Sequence, residues 1–216
     1  MSLLPGLFSP AIATAEALPP FGAEGLLPLE ASAMARAHPR RQAEFATGRV
    51  LARRAMQALG LAPLPIPAGA DRAPQWPAGL IGSISHSPRL CGVALARAGQ
   101  KVRMLGLDIE EAEPLPAELF DTVLLADERA RLSALGAEDA GWMARIVFSA
   151  KECCYKAQYP VTRTLFGFEI FDIRAEPAAG TFTATWQADI GPFRAGTVWA
   201  GRLCVTAEHV VTAITL

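Results

Sequence analysis

At 216 residues and 22.9 kDa the chain is long enough to build one large domain or two small ones without disulfides or a structural metal. Hydrophobic residues make up 51% of it and charged residues 19%, which excludes disorder, and no apolar run approaches the roughly eighteen residues of a membrane span. The net charge of −1 conceals a division: through Gly106 there are 11 basic and 5 acidic residues, net +6, and beyond it 9 basic and 16 acidic, net −7. A basic half suits an anionic ligand and surplus carboxylates can hold a hard cation, so a site between the halves would use both, although chance drift of surface charge gives the same totals.

The N-terminus is apolar, but it lacks Lys or Arg before Arg36, and Pro5, Pro10, Pro19 and Pro20 interrupt any helical apolar region, so it reads as folded sequence rather than a leader. The arginine-rich stretch 39–59 reads as a helix, with proline in its first turn and Gly60 as its stop. A Pro- and Ala-rich loop spans 61–73, and short strands are predicted at 79–85, 90–96 and 102–110. The second half repeats this order. Helical sequence covers 127–158, with a break near 136–141 and Tyr159-Pro160 as its end, and strands follow at 167–174, 181–187, 198–206 and 209–215. Strands clustered after helices indicate two α+β halves, 1–106 and 107–216, rather than a doubly wound sheet. The cysteines at 91, 153, 154 and 204 form no C-x-x-C pair, and neighbours 153 and 154 do not suit a mutual bridge, so a reducing, cytoplasmic setting is expected.

Three segments carry candidate chemistry. In L-G-L-D-I-E (105–110) a strand period of two puts Leu105, Leu107 and Ile109 on one face and Gly106, Asp108 and Glu110 on the other. Paired carboxylates raise one another's pKa unless a cation neutralises them, and oxygen-only ligands favour Mg²⁺; the competing reading is an edge strand with a solvated acidic face. In F-S-A-K-E-C-C-Y-K (148–156) helical spacing aligns Arg145, Ser149, Glu152 and Lys156 as a polar stripe. Glu152 and Lys156 also suit an ordinary surface pair, yet two of only three lysines, Lys151 and Lys156, flank this glutamate. In the basic half, residues 72–87 gather Arg72, Trp76, Gly79, Gly82, Ser83, Ser85, His86 and Ser87, the donors a phosphorylated ligand needs, though S-H-S also makes ordinary turns. Neither a Walker A loop nor G-x-S-x-G is present. Arg41, Arg49 and Arg53 share one helical arc of about 120° and could reach one anion or simply be solvated.

Taken in order, R-R-Q-A-E-F-A-T-G-R (40–49), W-P-A-G-L-I-G-S-I-S-H-S (76–87), L-G-L-D-I-E and F-S-A-K-E-C-C-Y-K resemble the 4'-phosphopantetheinyl transferases, most of all the enterobactin-synthetase-component-D type. The resemblance spans roughly 36–172; Leu107 stands where isoleucine is usual, and Cys153 and Cys154 fill variable positions. It implies two similar pseudo-twofold-related α+β halves with the active site at their interface, the first binding coenzyme A and the second carrying the metal ligands and catalytic helix. It implies transfer of the phosphopantetheine arm of coenzyme A to a serine hydroxyl of an apo acyl, peptidyl or aryl carrier protein, with release of 3',5'-adenosine diphosphate. The Mg²⁺ ligands, with Mn²⁺ as a substitute ion, fall on Asp108, Glu110 and Glu152. Coenzyme A contacts fall on Arg41, Arg49, Arg72, Ser85, His86, Lys151 and Lys156, with Arg72 nearest the adenine end and Arg41, Arg49 and His86 around the 3'-phosphate. Arg53 has no counterpart and rests on charge alone.

Glu152 is the expected general base, with Lys156 and Lys151 stabilising charge on the transferring and leaving oxygens. A carrier is expected to dock on apolar residues of 120–135, Leu124 and Leu125 among them. The expected partners are coenzyme A and the carrier, with no nucleic acid or membrane, and the chain is expected to be a monomer. The competing functions are a coenzyme A or nucleotide sensor without turnover, and a serine hydrolase using Ser85 or Ser87 with His86.

Overall fold

The computed structural model describes residues 2–99 and 101–216. The N-terminal lobe contains β1 (Ala13–Ala17), α1 (Pro28–Ala31), α2 (Pro39–Ala58), β2 (Leu80–His86) and β3 (Cys91–Arg97), its sheet running β1-β3-β2 with antiparallel pairing throughout. The C-terminal lobe contains β4 (Leu105–Glu111), α3 (Phe120–Val123), α4 (Ala126–Leu132), α5 (Ala137–Thr162), β5 (Phe171–Glu176), β6 (Thr181–Trp186), β7 (Val198–Val205) and β8 (His209–Thr215). Its antiparallel sheet runs β4-β8-β7-β6-β5. Each lobe is therefore one long helix laid on an antiparallel sheet, the α+β arrangement expected, with three strands on one side and five on the other. Strand β3 ends at Arg97 and β4 begins at Leu105, so a division after Gly106 would cut β4.

Local chemistry explains the two long helices. Pro39 occupies the first turn of α2, the His38 Nδ1 accepts the Arg40 N–H at 3.3 Å, and Gly60 at φ +70° takes the left-handed conformation that stops it. Its inner face sets Leu51, Ala52, Ala55 and Met56 against Cys91, Val93 and Leu95 of β3. Helix α5 begins after Gly136, and the break lies at 133–136, before most of the expected 136–141; Gly141 is inside α5, where a Cβ would strike Pro114 and glycine lets that segment pack close. Tyr159-Pro160 does not end it. The helix continues to Thr162 and stops on Arg163 at φ 54°, because a proline this close to the terminus deletes only one late hydrogen bond.

Strand β4 is buried on both faces. Leu105, Leu107 and Ile109 join Leu4, Leu90, Val211 and Ala213 in a core between the lobes, as the period of two requires. On the opposite face, a Cβ at Gly106 would lie 2.2 Å from the Cys153 carbonyl oxygen, so glycine lets β4 lie directly on α5, bringing Asp108 and Glu110 to the helix that carries Glu152. Strand β1, for which the sequence reading gives no element, alternates small apolar and polar residues: Ala13, Ala15 and Ala17 pack on the N-terminal core while the strand pairs with β3. Burial pushes the Cys91 thiol up to about 12 and raises Cys153 and Cys154 as well, whereas Cys204 is partly exposed. Titration of the native protein with a chromogenic disulfide reagent is expected to find one fast thiol, Cys204, and the other three only in denaturant. Rapid reaction at Cys91 would mean that the α2–β3 interface opens.

Candidate active site

Strands β2 and β4 belong to different sheets, and side chains join them. Ser83 Oγ accepts the Leu107 N–H at 3.0 Å and donates to the Leu107 carbonyl at 3.4 Å; two residues on, Ser85 Oγ accepts the Ile109 N–H at 3.1 Å. The S-x-S spacing of β2 thus matches the L-x-I spacing of β4, and two hydroxyls fasten the lobes along the floor of the cleft. Ser85 Oγ also donates to Asp108 Oδ1 at 3.1 Å and accepts the Lys156 ammonium at 3.0 Å. One donor and two lone pairs are all a hydroxyl has, so Ser85 is saturated by protein partners and does not offer its hydroxyl to a coenzyme as expected. Trp76 lies across β2 where a Cβ on Gly82 would come within 2.5 Å of its ring, which accounts for the tryptophan and the second glycine of W-P-A-G-L-I-G.

A cavity of about 320 Å³ opens between the lobes, and Asp108, Glu110, Glu152 and Lys156 form its acidic side. Asp108 is 2% exposed, which rules out the solvated-face reading of the strand. Lys156 holds its Oδ1 at 2.5 Å, while Oδ2 is buried without a hydrogen-bond partner. Arg145 holds Glu110 Oε2 at 3.0 Å. Burial, and next the Asp108 charge, push Glu110 up to about 7; burial, then Asp108, likewise raise Glu152 against the pull of Lys156. Burial works against the Lys156 ammonium, but Asp108 and Glu152 outweigh it and hold its pKa above the usual lysine range. Among the described residues no three His, Cys, Asp or Glu groups already stand in metal-holding geometry. Two of the acids are instead turned to cations of the chain itself. The donor set nonetheless suits a hard divalent ion: it is all oxygen, crowded with like charge, and contains one buried carboxylate oxygen lacking any partner.

The basic wall comes from α2, β2 and the loop between them, with Arg41, Arg49, Arg72 and His86 lining the same cavity. Arg49 is nearly buried; its guanidinium lies 4.0 Å over the Phe45 ring and its Nε donates to the Ile66 carbonyl at 2.6 Å. Arg41 meets His86 Nε2, and both approach Glu44 Oε2 at 3.6 Å. The His86 imidazole lines the cleft among Arg41, Arg49 and Lys156, and burial lowers its pKa, with Glu44 opposing and Arg41 assisting. Among the described residues neither hydroxyl bonds this ring: Ser85 donates its proton to Asp108, and Ser87 accepts the Arg89 N–H and does not line the cleft, so the geometry gives a serine hydrolase no support.

Two expected residues are elsewhere. Lys151, 2% exposed, points away from this cleft and spends its ammonium on Glu128 Oε2 at 2.6 Å, the Val123 carbonyl at 2.8 Å and the Phe168 carbonyl at 2.9 Å. Three donors with three acceptors leave none for a coenzyme, so the contact and charge-stabilising role expected of Lys151 are not met in this geometry. Arg53, proposed on charge alone, binds both oxygens of the fully buried Glu30 at 2.7 Å. That carboxylate also accepts the Leu27 and Ile66 N–H groups, so Arg53 anchors α1 to α2. The docking surface expected at 120–135 is also corrected in part: Val123, Leu124 and Leu132 belong to the C-terminal core, and charge at Leu124 would break the fold. Sequence reasoning missed Glu44, Phe45 and Phe148, which line the cleft. Glu44 had a signal, its i,i+3 and i,i+4 spacing to Arg41 and Arg40.

Comparison with known proteins assigns both lobes. A family model for the 4'-phosphopantetheinyl transferase N-terminal domain matches residues 29–96, and one for the 4'-phosphopantetheinyl transferase superfamily matches residues 104–213. The chain is 42% identical over 194 residues to 4'-phosphopantetheinyl transferase Svp of Streptomyces mobaraensis, covering 88% of this chain and 78% of that one. It is 36% identical over 196 residues to 4'-phosphopantetheinyl transferase PptT of Mycobacterium tuberculosis, covering 88% and 86%. Enterobactin synthase component D of Escherichia coli K12 is 35% identical over 120 residues, 55% of each chain.

Proposed function

The chain belongs to the 4'-phosphopantetheinyl transferase superfamily, enzymes that move phosphopantetheine from coenzyme A to carrier proteins, and from that membership we propose a magnesium-dependent transfer run in the cleft between its lobes. A serine hydroxyl of an apo acyl, peptidyl or aryl carrier attacks the phosphorus that bears the pantetheine arm. The bond from that phosphorus to the bridging oxygen breaks, and its electron pair leaves on 3',5'-adenosine diphosphate. The observation that carries this reading is the meeting, in one interlobe cavity, of Asp108, Glu110 and Glu152 with Arg41, Arg49, Arg72, His86 and Lys156.

Asp108, Glu110 and Glu152 would hold Mg²⁺, which when bound supplies neutralising charge to the diphosphate. Asp108 Oδ2 is the atom that most needs such a partner. The basic wall takes the coenzyme phosphates, Arg41, Arg49 and His86 around the 3'-phosphate and Arg72 toward the adenine end. Lys156, fixed by Ser85 and Asp108, stabilises charge on the transferring and leaving oxygens. Glu152, on the cleft face of α5 one turn before Lys156, accepts the serine proton. Ser85 thus acts through Lys156 rather than on the coenzyme, and Lys151 supports the helix from behind. The carrier and pathway are those of an acyl, peptidyl or aryl assembly system, siderophore synthesis among them, and we propose that the enzyme works in the cytoplasm as a monomer.

The transfer is tested by incubating the protein with coenzyme A, Mg²⁺ and a panel of apo carriers and reading each carrier by intact mass. One phosphopantetheine is expected on at least one carrier, abolished by chelator and restored by Mg²⁺. No gain on any carrier would favour a sensor, and an undiminished gain in chelator would remove the metal from the reading.

A further inference from the structure

The loop that brings Arg72 to the cleft is unusually constrained for an exposed segment. Residues 67–75 close on themselves: the Gly69 N–H bonds the Ala73 carbonyl at 2.8 Å, the Arg72 N–H bonds the Gly69 carbonyl at 2.9 Å, and the Gln75 N–H bonds the Pro67 carbonyl at 2.9 Å. At the tip Arg72 adopts φ 66°, a left-handed conformation that is costly for a residue with a Cβ and persists only where its surroundings impose it. Asp71 imposes it from both ends. Its Oδ1 accepts the Ala73 N–H at 3.0 Å across the strained residue, and a Cβ at Gly69 would strike this same oxygen. Its Oδ2 crosses to the other lobe, accepting the Tyr159 hydroxyl at 2.8 Å and Arg163 Nη1 at 3.4 Å near the end of α5. Asp71 is held below the usual carboxylate range, first by the Tyr159 bond, so it remains an acceptor throughout neutral pH. Arg72 lines the 320 Å³ cleft and also the two larger cavities of about 570 and 530 Å³.

We propose that Asp71 and Tyr159 are positioning residues for coenzyme A binding: their bond clasps the 67–75 loop of one lobe to the end of α5 on the other and so fixes Arg72 where the three cavities share a wall. The clasp does not touch the coenzyme and makes no contribution to the transfer step; it reduces the cost of ordering Arg72 on binding. The inference rests on the reading of Arg72 as a coenzyme contact, and the experiment separates the two.

Coenzyme A affinity is measured by titration calorimetry without carrier, together with KM and kcat. Tyr159→Phe removes one hydroxyl from a solvent-exposed bond and leaves the rest of α5 in place; it is expected to raise Kd and KM for coenzyme A by about 3- to 10-fold, with kcat at saturation and the carrier KM unmoved. Asp71→Ala, which also frees the Ala73 N–H, should lose at least as much; Asp71→Asn, which keeps its one oxygen for the Ala73 N–H and turns its amide NH₂ to the tyrosine oxygen, should recover part of the loss, and the Asp71→Ala/Tyr159→Phe double variant should be no worse than Asp71→Ala. Neither substitution should weaken binding further in an Arg72→Ala background. If Arg72→Ala leaves Kd unchanged, the assignment of Arg72 fails and the clasp with it. If Arg72→Ala weakens binding but Tyr159→Phe does not, or if Asp71→Ala weakens it equally with and without Arg72, the positioning role alone is overturned.

Discussion

Glu152→Gln is expected to lower kcat/KM for carrier modification by roughly 10²–10⁴-fold, the usual contribution of a positioned general base, while the metal-free protein melts at or above the wild-type temperature. The two halves of this expectation have one cause. Asp108, Glu110 and Glu152 face a single partly buried cleft, where like charges repel and have lost much of their hydration. Replacing one carboxylate by an isosteric amide relieves that repulsion and leaves the helix unchanged, so the folded state gains while the chemistry loses its proton acceptor. Asp108→Asn should differ: it also strips the counter-charge from Lys156 and should lose stability along with turnover. Carrier labelling under single-turnover conditions, with melting curves in chelator and in Mg²⁺, distinguishes the pair. Wild-type turnover by Glu152→Gln would remove this carboxylate from the reaction.

The parts of the site that were legible in the sequence are those fixed by local periodicity. A two-residue repeat put Asp108 and Glu110 on one face of a strand, and helical spacing of seven and four residues aligned Arg145, Glu152 and Lys156; both hold because each residue sits in an element whose period decides its face. Lys151 shows what happens when sequence adjacency stands in for spatial adjacency. It precedes Glu152 by one residue, which on a helix is a turn of about 100°, and it shares its face with Ala140, Ala144 and Val147, all buried. The wheel therefore assigns Lys151 to the core side, and only its charge suggested otherwise. Arg53 failed for a different reason: its partner Glu30 lies in a four-residue helix 23 residues upstream, and no local period connects the two.

The lobe interface was half legible. Hydroxyls were evident in G-S-I-S-H-S, but whether they face a ligand or another strand depends on β2 and β4 lying side by side without sharing a sheet, a long-range fact. The consequence for catalysis is that Ser85, Asp108 and Lys156, one from each of three elements, form a single hydrogen-bonded unit across the two lobes. In the proposed transfer a cation held this way would meet the diphosphate already oriented, which is how fixed charge lowers a barrier without reorganising during the reaction.

Lys151→Met is expected to remove about 3–5 kcal/mol of folding stability, the cost of stranding one member of a buried ion pair, which places it among the most damaging single substitutions in the C-terminal lobe. The pair is 1% and 0% exposed, so solvent screens almost none of it. Glu128 is committed on every side: besides the lysine it accepts the Leu125 N–H at 2.8 Å, closing the start of α4, and the Ile173 N–H at 2.8 Å from β5. Removing the ammonium therefore leaves a carboxylate without its counter-charge and deprives the Val123 and Phe168 carbonyls of their donor, loosening α4, β5 and the segment after α5 together. Lys151→Arg should not rescue, because a planar fork cannot direct three donors to acceptors arranged around one nitrogen. Urea unfolding should show the midpoint falling for both variants, with coenzyme A Kd near wild type for protein that remains folded. A wild-type midpoint combined with weakened coenzyme A binding would return Lys151 to the cleft.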